Sequence, residues 1–322
     1  MAILFLGTAV IELGKYPIIN YSLWSCIFAI AIGAFCIAGI LQKFAADADP
    51  YLFPIAMFLS SIGLIMIERL KAALFIPQIH WIFIGMIVFL CIVYFIKNIR
   101  FLVNYQYLIG LCCLFLLCST LFLGTEIGGS RNWIVFGPFQ VQPSEFAKIL
   151  IIVFLSAYLI DHKNVLSLPS NKFLGFRWPP LRFIAPLLLI WGIAVLMFVV
   201  QKDLGSALLF FGIAIFMTYM ATGNKTYVFM ALFFFMISSI ISYQIFGHVR
   251  VRVAIWLHPW SDPNGMAYQI VQSLFAFGSG GIWGTGFSHG HPDLIPAVHT
   301  DFIFSAIAEE LGLLGDIAVI LV

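Results

Sequence analysis

The chain has 322 residues, of which 62% are hydrophobic and 9% charged, and its formal net charge is +2. A soluble domain carries roughly 25% charged residues, so a water-clothed globule is excluded, and a charge balance this small gives no footprint for a nucleic-acid partner. The apolar runs are continuous rather than alternating, which selects helices over a barrel and predicts an all-α, polytopic membrane protein.

Windows near twenty residues place the spans in chain order. Residues 2–13 are apolar but short and contain Glu12. They are followed by 18–41, 51–67, 75–96, 106–123, 145–160, 182–200, 204–221 and 226–246, and a last span starts near Phe302 and is still running at Val322. The expectation is therefore about nine to ten spans, in a chain whose gene product is incomplete at the C-terminus. No cleavable signal peptide is evident, because the start has neither a charged n-region nor a small-residue cleavage site. Cys26, Cys36, Cys91, Cys112, Cys113 and Cys118 all fall in apolar runs and read as small buried hydrophobes, not as a disulfide framework or a zinc site.

Three connections are long: a Gly-rich one at 124–144, a basic one at 161–181, and a loop at 247–301. Lys and Arg split 8 against 7 between the two sides, with Lys148 left inside a helix. The count does not decide the topology. The dense basic stretch Lys163, Lys172, Arg177 leans cytoplasmic, which makes 124–144 and the 247–301 loop extracytoplasmic.

Polar residues close to lipid are the candidates for function. Gln142-Pro-Ser-Glu-Phe-Ala-Lys148 opens a helix: Pro143 suits its first position, Glu145 suits its positive end, and Glu145 and Lys148 share a face at i, i+3. That pair reads either as a helix-start clamp or as charge lining a polar cavity. Lys202 and Asp203, in Gln201-Lys-Asp-Leu-Gly205, read either as a turn and anchor or as part of such a cavity. Trp133 is at home at an interface, and Arg131 is a weaker candidate for a phosphate clamp. Asp262 precedes Pro263, where an aspartate often bonds its own backbone. Gly278 to Gly286 is no P-loop, since no Gly-Lys-Ser/Thr follows. His289, His291 and His299 lack a zinc spacing.

Taken together, these stretches resemble the SEDS family (shape, elongation, division and sporulation), the FtsW, RodA and SpoVE-like proteins. The resemblance runs through Arg131-x-Trp133, Gln142-Pro-Ser-Glu-Phe-Ala-Lys148, Gln201-Lys-Asp-Leu-Gly-Ser206 and Trp256-x-x-Pro-x-x-Asp-Pro-x-Gly265. It continues in Tyr268-Gln269, Gln272-Ser273, Gly278-Ser-Gly-Gly281, His299-Thr-Asp-Phe-Ile-Phe304 and Ala308-Glu-Glu-Leu-Gly312. It implies one integral membrane domain over 1–322, with 1–45 as extra N-terminal helices and 46–322 as a family core that is C-terminally incomplete. His258 and Lys202 depart from residues common in the family.

The resemblance also implies a glycosyltransferase of the bacterial cytoplasmic membrane. It would polymerise lipid II, a disaccharide-pentapeptide on undecaprenyl diphosphate, at the outer face, beside a class B penicillin-binding protein, in cell division or elongation. Asp262 takes the catalytic position. Arg131, Glu145, Lys148, Lys202, Asp203, Gln269, Gln272, His299 and Asp301 take substrate, diphosphate or cavity positions. A divalent cation, Mg or Mn, held by carboxylates is an option and not a requirement. The competing readings are a flippase for a lipid-linked precursor, which the buried charges fit equally well, and a non-catalytic scaffold for the crosslinking partner.

Overall fold

The computed structural model describes residues 1–15, 21–44, 49–95, 99–127, 130–136, 139–167, 171–173, 176–178 and 181–322. The chain folds as two compact units, Met1–Lys97 with Val251–Val322, and Asn98–Arg250.

The first unit begins with α1 (Ala2–Lys15), α2 (Tyr21–Phe44), α3 (Leu52–Lys71) and α4 (Phe75–Phe95), with a 3-10 turn at Ala72–Leu74 joining the last two. Its core is aliphatic: Leu4, Ile27, Ile30, Leu64 and Ile79 are buried together. Glu12, inside α1, is buried and accepts the Trp24 indole N–H at 2.5 Å, so the expensive charge in that apolar run has a partner. The unit resumes after Arg250, within α10 (Gly247–Leu257), and continues through a 3-10 turn (Pro259–Ser261), α11 (Tyr268–Gly280), a second 3-10 turn (Pro292–Leu294) and α12 (Ile303–Leu321). Met66, Ala276, Ile295, Val298, Ala306 and Ile307 join α3, α11, α12 and the second turn in a small core of their own.

The second unit holds α5 (Gln106–Leu123), the antiparallel strands β1 (Thr125–Ile127), β2 (Ser130–Phe136) and β3 (Phe139–Val141), and α6 (Pro143–Ser167). The hairpin β4 (Asn171–Phe173) and β5 (Phe176–Trp178) follows, then α7 (Leu181–Val200), α8 (Leu204–Thr222) and α9 (Lys225–Ile245). Pro143 is the first residue of α6, where its missing N–H costs nothing. Cys113, Leu117, Phe154, Tyr158, Phe198 and Phe210 form the buried centre. Close approach of α5 to α6 and α7 depends on Gly110, where a Cβ would lie 2.8 Å from Ile190 Cδ1.

Two expectations are corrected. Among the described residues, six helical stretches, not nine or ten, are long and apolar enough to span a bilayer: Tyr21–Phe44, Leu52–Phe95, Phe101–Leu123, Pro143–Leu166, Leu204–Thr222 and Lys225–Ile245. The reasons are local. Helices α3 and α4 run on as one 44-residue apolar stretch, and α1 and the apolar part of α7 are short. Helix α12 carries Glu309, Glu310 and Asp316, all buried, and breaks at Gly312. The second correction concerns 247–301: the connection is largely structured, carrying α10, α11 and two 3-10 turns.

Candidate active site

The segment before α11 is built by short-range bonds. The His258 carbonyl accepts both the Ser261 N–H (3.2 Å) and the Ser261 hydroxyl (2.8 Å), which closes the 3-10 turn that Pro259 opens. Asp262 follows that turn. Its carbonyl accepts the N–H groups of Gly265 and Ala267, and its Oδ2 accepts the Met266 N–H at 3.0 Å. This is the backbone-bonding turn that aspartate favours. The carboxylate lies over the Cα of Gly265, so a Cβ there would run into both Asp262 oxygens. A Cβ at 265 would displace the exposed carboxylate from this seat; the glycine matters here through that approach, not through its φ. Ala267 is buried and anchors the turn to α11, while the Asp262 side chain stays exposed. Nearby in the chain, Trp256 is 77% exposed, and the Trp260 and Phe275 rings lie 5.7 Å apart with their planes tilted by 53°.

Gln269, in the first turn of α11, donates to the Pro296 carbonyl at 2.7 Å and so ties the segment carrying His299 and Asp301 to that helix. Gln272 is three residues on, on the same face. His299 and Gln272 are half-buried and Asp301 is exposed. None of these three side chains bonds to Asp262.

Sequence reasoning passed over what holds this unit's loop in place. Helix α12 breaks at Gly312 (φ 66°, ψ −170°). The freed carbonyls of Glu309 and Glu310 accept Thr285 and Gly286 N–H, and Leu313 and Leu314 N–H donate to Gly281 and Ile282 carbonyls. Both side chains of the Glu-Glu pair face inward. Glu309 accepts the His291 N–H at 2.8 Å. Glu310 accepts the Ser288 N–H at 3.0 Å and pairs with Arg69 of α3 at 3.0 Å, and the same guanidinium donates to the Gly290 carbonyl. The signal was available, since two adjacent glutamates in an apolar helix are too costly to leave unpaired.

The second unit carries the other polar group. Lys148 donates to Glu145 at 2.6 Å, the i, i+3 pair that the spacing predicts. Asp203 caps α8 through the Ser206 N–H (3.0 Å) and also accepts the Ser206 hydroxyl and the Asn132 amide of β2. Lys202, at φ 62°, reaches Glu126 at 3.4 Å. Asn132 and Glu126 were not foreseen as partners, because they sit 71 and 76 positions from the residues they hold. Around them the buried oxygens of Asn132 Oδ1, Ser144 Oγ and Gln201 Oε1 have no protein partner among the described residues. The side chain of Arg131 lies outside the described residues; its backbone is in β2.

Among the described residues no three His, Cys, Asp or Glu side chains gather, and Asp262 and Asp203 are each engaged with backbone N–H groups. No chemistry is routed through a divalent cation.

Fold and site together define a multi-pass helical membrane protein that presents a single carboxylate on a tight turn ahead of an amphipathic helix. The chain belongs to the FtsW/RodA/SpoVE family: the family model described as "Cell cycle protein" matches residues 49–322. It is a protein of the bacterial cytoplasmic membrane. The peptidoglycan glycosyltransferase RodA of Mycobacterium tuberculosis is 39% identical over 294 residues, covering 87% of this chain and 63% of that protein. RodA of Mycobacterium leprae is 37% identical over 288 residues, covering 85% and 61%. The probable peptidoglycan glycosyltransferase FtsW of Aeromonas salmonicida is 34% identical over 198 residues, covering 61% and 47%. The chain thus spans about 63% of the length of the mycobacterial relative it matches at 39% identity. A chain in a solved structure titled "Structural coordination of polymerization and crosslinking by a peptidoglycan synthase complex" superposes with a TM-score of 0.52 at 24% identity, covering 92% of this chain and 73% of that one. That likeness concerns the fold.

Proposed function

We propose that this protein is a peptidoglycan glycosyltransferase, polymerising lipid II into glycan strands at the outer face of the cytoplasmic membrane, in cell division or elongation. The observation that carries the reading is the exposed Asp262 carboxylate, fixed by the Met266 N–H and seated on Gly265 in a family motif. Relatives named as peptidoglycan glycosyltransferases RodA and FtsW support the chemistry.

The reaction is a single inverting displacement. Asp262 takes the proton of the acceptor sugar's 4-hydroxyl on Oδ1, the oxygen not held by Met266. The oxygen forms its bond to the donor's anomeric carbon as the bond from that carbon to the diphosphate breaks. The leaving diphosphate carries the electron pair and calls for cations. From the sequence, Arg131, Lys148 and Lys202 are the candidates; in the second unit Lys148 and Lys202 are held by Glu145 and Glu126. Gln269, Gln272, His299 and Asp301 are assigned to the sugar side, on and beside α11. The partner is a class B penicillin-binding protein that crosslinks the product, in line with the synthase complex named for the solved neighbour.

The test is lipid II polymerisation by the purified protein in liposomes. Asp262→Asn is expected to lose product by at least about 100-fold, within the usual weight of a general base, with the unfolding midpoint unchanged. Full-rate polymer from that variant defeats the assignment of Asp262. Translocation of the lipid precursor without polymer from the unaltered protein would make it a flippase. Binding of the crosslinking partner without glycan would make it a scaffold.

A further inference from the structure

The second unit contains a cavity of about 340 Å³ that the glycosyl chemistry does not use. It sits where α6 ends, α7 starts, α8 ends and α9 starts. Leu187, Trp191, Ala214, Ile215, Ala231 and Phe234 supply its walls, which expose almost no polar surface. The Tyr227 hydroxyl at its rim already donates to the Leu166 carbonyl at 2.8 Å, so it offers no free donor to a polar ligand. An apolar cavity of this kind stays dry and takes hydrocarbon. Helix α9, one of its walls, buries none of its residues, so the cavity opens sideways toward the surroundings of a membrane-spanning helix.

The charge at that end is one-sided. Lys163 lies in the last turns of α6, Arg182 in the first turn of α7, and Lys225 begins α9; all three are exposed. The three helix ends are brought together by the Tyr158 hydroxyl on the Phe183 carbonyl, the His162 ring 5.6 Å from that of Phe183, and Tyr227 on Leu166. Lys172 and Arg177 lie in the hairpin between α6 and α7. Across residues 161–182 and 222–227, Asp161 is the only carboxylate against these five cations.

We propose that this cavity binds one acyl chain of an anionic phospholipid, with the headgroup on the Lys163, Arg182 and Lys225 rim. Hydrocarbon walls select a lipid chain, and basic side chains at a helix-bundle edge select an anionic headgroup. The site makes no use of Asp262 and is independent of the catalytic reading.

The test uses the full chain in bilayer nanodiscs of phosphatidylcholine, doped at equal mole fraction with chain-brominated phosphatidylglycerol or chain-brominated phosphatidylcholine. The readout is the fluorescence quenching that disappears in Trp191→Phe. Brominated phosphatidylglycerol is expected to quench more strongly than brominated phosphatidylcholine. Ala231→Phe, which fills the cavity, is expected to abolish the difference. Lys163→Gln and Lys225→Gln, which leave the walls intact, are each expected to lower the apparent phosphatidylglycerol affinity by about fivefold. Equal quenching by the two lipids, or a preference that survives Ala231→Phe or both lysine substitutions, overturns the proposal. Displacement of phosphatidylglycerol by polyprenyl phosphate at equal mole fraction also overturns it, because the occupant would then be a substrate tail.

Discussion

Removing the Arg69 guanidinium should hurt this protein more than neutralising its partner. The Glu310 side chain is fully buried, whereas that of Arg69 is 14% exposed. Arg69→Met strands a carboxylate in the interior, where the Ser288 N–H still donates to it but no cation faces it across the old pair, and takes the Nη2 donor from the Gly290 carbonyl. Breaking a buried pair in this way costs about 3–5 kcal/mol. Glu310→Gln keeps an oxygen for Ser288 and strands no charge in the interior. The guanidinium still holds Gly290 and reaches water, so the loss is that of one charged hydrogen bond, about 1.5–3 kcal/mol. The two unfolding midpoints, measured in the same detergent and denaturant series, should therefore fall in the order wild type, Glu310→Gln, Arg69→Met. A Glu310→Gln protein as unstable as Arg69→Met, or more so, would refute the reasoning. It would mean that the anion's burial is not what makes the pair costly to break.

Gly312→Ala should cost about 1–3 kcal/mol from backbone strain at φ 66°, and more because the new Cβ would meet Gly284 N and Ile282 O. Gly63→Ala, whose Cβ meets nothing within 4 Å, is the control and should lose nothing in the same unfolding assay. Asp203→Ala removes the α8 cap and the acceptor for Asn132, a loss of about 1–2 kcal/mol; Asp203→Asn should retain most of it, as read by the denaturation midpoint. Gly265→Ala pushes the Asp262 carboxylate off its seat without touching the core. Lipid II polymerisation should drop on the order of 100-fold while the midpoint stays within about 0.5 kcal/mol of wild type; unchanged turnover would show that the seat does not matter.

What could be read from the amino-acid order is what depends on near neighbours and on solubility. Too few charges to face water forced a membrane protein. Spacing alone placed Glu145 beside Lys148 and Pro143 at the head of α6, because a helix fixes where i, i+3 neighbours lie. The Asp262 turn was legible for the same reason, its partners being no more than five residues away. Hydropathy also suggested one pass per apolar run. It could not tell that α3 and α4 run on through a single 3-10 turn, or that the final run breaks at Gly312.

Packing decided the rest. Arg69 and Glu310 are 241 positions apart, and Asn132 and Asp203 are 71 apart. Neither pair has a local signature, since each bond exists only once elements far apart in the chain have been brought together. The cost of burying a charge alone requires that Glu310 have a partner. Which residue serves is set by the way α3 and α12 pack, and that is a property of the folded chain and not of any stretch of it.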